Sequence, residues 1–126
     1  MSPYEQLWLI AFIKTQVIEV SLGLVTLYLL HTRSPSTSTF PTRSLSITLF
    51  MASALTHPPL WLVLSPLRKA WGVSYQDYVL YGEIAVCLIE GLWYTFMLPP
   101  RGRALIQAIA LSLYLNSVSY LIGLYL

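Results

Sequence analysis

Charge is what this sequence has least of. Asp, Glu, Lys and Arg make up 10% of its 126 residues, against about 25% in a typical soluble domain. Hydrophobic residues make up 56%. A chain this short cannot enclose that much apolar surface in a core of its own, so a lipid bilayer is the expected solvent. Cys87 is the single cysteine, which excludes an intramolecular disulfide and leaves the redox compartment unread. No basic run precedes the first apolar stretch and Glu5 is acidic, so the N-terminus reads as a retained span and not as a signal peptide. The net charge of +2 is spread over three loops, which argues against a nucleic-acid partner. The spacings H-E-x-x-H, E-x-x-H and G-x-S-x-G are absent.

What is there is four long apolar segments, at about 7–30, 45–64, 78–98 and 104–126. A helix crosses a bilayer with about 20 apolar residues. The expected fold is therefore all-α: a single domain over 1–126, built as a bundle of four transmembrane helices. The linkers "HTRSPSTSTFPTR", "SPLRKAWGVSYQ" and "PPRGR" leave no room for a soluble domain. The first reads as a solvated linker. The last is short enough to make helices three and four an antiparallel hairpin, with helix three stopping before Pro99-Pro100. Arg33, Arg43, Arg101 and Arg103 lie in the first and third loops, against Arg68 and Lys69 in the second. Those two loops are expected in the cytoplasm and both termini outside. Trp8, Trp61 and Tyr78 are expected in an outer aromatic belt, and Tyr28, Trp93 and Tyr94 in an inner one. Asp77 is expected to cap helix three, since it precedes the apolar run.

The informative residues are the polar ones inside the spans. A charged side chain at the bilayer centre costs about 2.5–3.5 kcal/mol on insertion scales, so these groups should face one another. Their spacing agrees. Gln16, Glu19, Gly23 and Thr26 share a face in helix one, and Ser46, Ser53, His57 and Leu60 share one in helix two. Gln76, Glu83, Cys87, Glu90 and Tyr94 do so in helix three, and Ser112, Asn116, Ser119 and Gly123 in helix four. These heptad-like stripes suit a left-handed bundle with close helix approach. Counting along each span puts Glu19, His57, Glu90 and Asn116 at one depth, with Glu83 and Lys14 nearer the outer side.

The stretch "THPPLW" sits at that depth. Helix two would be too short to cross if it stopped at His57. It must pass Pro58 and Pro59, which cannot donate to the carbonyls of Ala54 and Leu55. A helix broken at the Pro-Pro is the expected result. Broken helices at mid-membrane depth line ion and substrate sites.

Three functions compete. The first is a midplane cluster that binds a proton or a divalent metal cation, for transport or within a homo-oligomer. Its binding groups would be Glu19, His57, Glu83 and Glu90, oriented by Asn116 and Gln16, with Glu19, His57 and Glu90 as metal ligands. The second is a structural or assembly subunit of a larger membrane complex, its polar groups acting as interhelical bonds of about 0.6 kcal/mol each. The third is an intramembrane enzyme acting on a lipid-like substrate, with His57 as general base oriented by Glu19 or Glu90. The arrangement "QVIE … THPPLW … GEIAVCLIEG … NSVSYLIG" resembles small uncharacterised bacterial four-helix membrane proteins, in which the second-span histidine likewise runs into proline and tryptophan. The resemblance implies four spans in a bacterial inner membrane and carries no activity.

Overall fold

In the computed structural model, residues 1–33, 39–98 and 105–125 are described, and the described residues form helices joined by short links. Helix α1 is Pro3–Thr32, α2 is Thr42–Leu67, α3 is Tyr75–Met97 and α4 is Leu105–Tyr125. All four are long and apolar enough to cross a membrane. The linker calls on 34–38, and those on Pro99, Pro100, Arg101 and Arg103, lie outside the described residues.

Local chemistry sets the helix starts. Helix α1 begins four residues earlier than the apolar run suggests. Ser2 closes a capping box there: the Glu5 N–H donates to Ser2 Oγ at 3.2 Å and the Ser2 N–H donates to Glu5 Oε2 at 2.6 Å. Pro3 occupies the first turn, where its missing N–H has no intrahelical partner to lose. In α3 the cap is Ser74 and not Asp77. Ser74 Oγ accepts the Asp77 N–H at 3.1 Å, and Asp77 sits in the first turn against the positive end of the helix. Between α2 and α3 the chain reverses through Gly72, whose φ of 67° is a left-handed value that only glycine adopts without strain.

Helix α2 stays in right-handed helical dihedrals through both prolines, with φ/ψ of −60°/−47° at Pro58 and −58°/−43° at Pro59. Its winding changes instead. Thr42–Pro58 is α-helical, Pro59–Leu64 is a wide π-helical turn, and Ser65–Leu67 returns to α. In the π turn the Ser65 N–H reaches back to the Leu60 carbonyl. By the same register Trp61 would accept from Pro66, which has no N–H. The Tyr4 hydroxyl donates to the Trp61 carbonyl at 3.0 Å, and the Tyr78 hydroxyl donates to the Leu60 carbonyl. Tyr78, expected in the outer belt, is therefore a buried side chain that serves the π turn.

Contacts along the helices give an up-down-up-down bundle. Tyr4 meets Trp61, Glu19 meets Ser53, and Tyr28 meets Phe40, so α1 and α2 run antiparallel. Tyr78 meets Leu60 while the Trp93 indole donates to the Thr48 carbonyl at 3.0 Å, so α2 and α3 do too. Helix α4 packs on both α3 and α1, which closes the ring of four. Helices α3 and α4 approach closely at Gly91, where an added Cβ would come within 2.9 Å of Ile109 Cα. The apolar core is lopsided. Leu27, Leu45, Leu49, Tyr94, Ala108 and Leu115 pack into one large cluster toward the end where α1 meets α2 through Tyr28 and Phe40. Tyr94, expected at the inner interface, is 1% exposed within it. The opposite end holds only a small cluster of Leu60, Tyr78 and Val86 among the described residues.

Candidate functional site

Between these two clusters lies a polar layer fed by all four helices. Glu19 of α1 and Glu90 of α3 are 3% and 1% exposed. Ser53 and Thr56 come from α2, and Ser112, Asn116 and Ser119 from α4, all buried. The heptad stripes explain the arrangement. Gln16, Glu19, Gly23 and Leu27 form the buried face of α1. On α3 the buried face includes Cys87, Glu90 and Tyr94, but Gln76 is exposed and Glu83 half-buried. On α4 the stripe is buried from Ser112 to Ser119 and ends at an exposed Gly123.

Glu90 takes the most donors. Asn116 Nδ2 donates to Glu90 Oε2 at 2.7 Å and Ser112 Oγ to the same oxygen at 3.1 Å. Thr56 Oγ1 lies 3.1 Å and Ser53 Oγ 3.4 Å from Oε1. Ser119 Oγ donates to Glu19 Oε1 at 2.8 Å, and Ser53 Oγ donates to Glu19 Oε2. Ser53 thus stands between two carboxylates with one proton to give. One oxygen of Glu19 and one of Glu90 lie within 4.8 Å of each other, and two like charges at that limit would repel by roughly 3.5 kcal/mol at an effective dielectric of about 20.

His57 completes the layer. One nitrogen of His57 and one oxygen each of Glu19 and Glu90 all lie within 4.8 Å of one another. His57 Nε2 is shielded from solvent and has no hydrogen-bond partner. Both amide atoms of Gln16, one turn along α1 from Glu19, are in the same condition, and the residue is 6% exposed. Buried polar groups are nearly always paired in native proteins.

The sequence-derived site residues fall into three groups. Glu19, His57 and Glu90 come together as a triad that could hold a metal ion. Asn116 orients Glu90 directly, as a hydrogen-bond donor. Glu83 stands outside the triad, and Gln16 is buried beside it without a bond to either carboxylate. The bridging hydroxyls of Ser53, Thr56, Ser112 and Ser119 carry most of the bonds to the carboxylates, a role that their place on the polar stripes signals only as helix contact.

A cavity of about 650 Å³ leads from the end near Tyr4, Trp8 and Arg68 down to His57, Glu83, Asn116 and Ser119. It lies toward the end that Tyr4, Trp8 and Trp61 occupy, away from the large apolar cluster. Lys14 and Asp77 are exposed and do not line it. No protein-family model, curated protein or solved structure matches this chain.

Proposed function

We propose that this protein is a four-span membrane bundle, with both termini on the outer face, that binds a divalent first-row transition cation at Glu19, His57 and Glu90. The observation that carries the reading is the orphaned His57 Nε2, buried beside two carboxylates whose oxygens lie within 4.8 Å of the imidazole and of each other. An ion centred among three atoms at that limit would sit about 2.8 Å from each, and small side-chain rotations reach the roughly 2.0–2.2 Å of a Zn–N or Zn–O bond. An imidazole donor favours zinc, iron or nickel over calcium and magnesium, which take oxygen ligands. The hydroxyl and amide donors on Glu19 and Glu90 serve as the outer groups that orient metal-binding carboxylates. The cavity above His57 supplies the route by which the ion enters. Without metal, a proton shared between the carboxylates takes the same place.

The test is Zn²⁺ binding to the purified full chain in maltoside micelles after stripping with a chelator. Wild type should retain one Zn²⁺ per bundle. Glu90→Gln and His57→Ala should each weaken binding at least a hundredfold while helical content is kept. Unchanged affinity in both variants would sink the reading.

A second reading has its own support. The carboxylate bonds link α1 to α2 and α4, and α3 to α2 and α4. On that reading the layer fixes the pairing of the helices in a structural subunit of a larger membrane complex. It predicts no metal, stoichiometric partners on pull-down from native membranes, and loss of assembly in the same two variants.

A further inference from the structure

Glu83 is the acidic residue inside the bundle that the metal triad leaves out. It lies eight residues, or about 12 Å, along α3 from the pinch at Gly91. Beside that pinch, residues of α3 and α4 line a common gap. A second cavity, of about 680 Å³, occupies the outer side of the gap. Its size falls within the roughly 300–1,000 Å³ of small-molecule sites. Its wall is apolar: Leu80, Ile84 and Leu88 from α3 face Ile109 and Leu113 from α4. Tyr75, Val79, Glu83, Asn116 and Tyr120 line this cavity and also the one above His57. The two spaces share this stretch of wall at the α3–α4 seam, and Glu83 belongs to both linings.

Charge narrows the occupant. Glu83 is the one charged residue in the described lining of the outer cavity. Arg68 lines the inner cavity alone, its guanidinium 5.2 Å from the centre of the Tyr75 ring. A neutral chain would fill the apolar wall and leave a carboxylate facing it, which is costly away from water. A ligand with an apolar body and a cationic head satisfies both parts. Tyr120, beside Glu83 in the shared lining, offers an aromatic face of the kind that attracts ammonium groups.

We propose that the gap between α3 and α4 is a binding site for a hydrophobic amine, its apolar body against Leu80, Ile84, Leu88 and Leu113 and its ammonium on Glu83. The site opens sideways, so the ligand enters from the bilayer. The proposal shares the membrane placement of the reading above and is independent of the metal.

Dodecylammonium is the probe and dodecanol its neutral control, both measured by native mass spectrometry on the full chain in maltoside micelles. The protein is stripped with a chelator first, so a failure of Zn²⁺ binding leaves this outcome intact. Wild type should take up one dodecylammonium with at least tenfold preference over dodecanol. Glu83→Gln should abolish the preference. Leu113→Trp, which fills the groove without touching the charge, should lower uptake of the amine at least tenfold; if Glu83→Gln fails to fold, this variant and the wild-type preference decide. Equal uptake of amine and alcohol by wild type, a preference that survives Glu83→Gln, or undiminished uptake by Leu113→Trp would each overturn the proposal.

Discussion

Ser53 has one proton and two carboxylates within reach, and the chemistry of the layer follows from that shortage. Glu90 is held by Asn116 and Ser112 on one oxygen and faces Thr56 on the other. Its acceptor oxygens matter to the fold even where its charge does not. Glu90→Gln keeps one acceptor oxygen; Glu90→Leu keeps none and strands buried donors, which costs about 1–3 kcal/mol per unsatisfied group. The leucine variant should therefore be less stable than the glutamine variant by about 2 kcal/mol, read from reversible unfolding in mixed micelles. Equal stability would show that the donors find other partners. Much of this was legible in the residues. Three acids, a histidine and an asparagine in spans that should be apolar had to meet, and helical spacing put Glu19, His57, Glu90 and Asn116 at one depth. Glu83 shared the polar face of its helix but counted nearer the outer side, and periodicity gives a face and not how far neighbouring helices stand apart. Ser53, Thr56, Ser112 and Ser119 were legible as polar residues within the spans, but not as partners of particular carboxylates. Whether a hydroxyl packs or bridges depends on which side chain stands opposite, and that is a tertiary fact.

At the scale of the element, "THPPLW" suggested a helix broken at Pro58-Pro59, whereas α2 keeps helical dihedrals through both prolines. Missing donors at Pro58 and Pro59 are visible in the sequence. The answer to them, a π turn over Pro59–Leu64 with tyrosine hydroxyls on the carbonyls of Leu60 and Trp61, is not, because Tyr4 and Tyr78 belong to other helices. Helix starts show the same division. Ser2 and Glu5 form a capping box that the sequence spells out three residues apart, whereas Asp77 looked like the cap of α3 until Ser74 proved to hold that place. The pinch of α3 on α4 has a direct test. At Gly91 a new Cβ would lie 2.9 Å from the Ile109 backbone, while at Gly123 it would meet nothing within 4 Å. Gly91→Ala should lower stability by about 1–3 kcal/mol through overpacking, and Gly123→Ala should change it by less than about 0.5 kcal/mol. Similar values for both would mean that the pair is not tightly seated.

The whole molecule is a ring of four helices that is packed with apolar side chains at one end and open at the other. Four helices long and apolar enough to cross a membrane were legible because length and hydropathy alone set that property. The lopsided core was not, since Tyr78 and Tyr94 read as interfacial rings and both are buried. The proposed binding of a cation by Glu19, His57 and Glu90 would be sensitive to bulk pH. Protons and metal compete for two carboxylates and an imidazole, so Zn²⁺ affinity should rise with pH and fall as the solution is acidified, releasing protons on binding. A titration that is flat between pH 5 and pH 8 would speak against those ligands. The central claim has a more direct test in anomalous diffraction from crystals grown with Zn²⁺ and recorded on both sides of the zinc edge. One peak in the bundle interior, roughly 2.0–2.2 Å from His57 Nε2 and from a carboxylate oxygen each of Glu19 and Glu90, is the predicted result. A peak elsewhere, or none with His57 Nε2 hydrogen-bonded to a carboxylate, would contradict it.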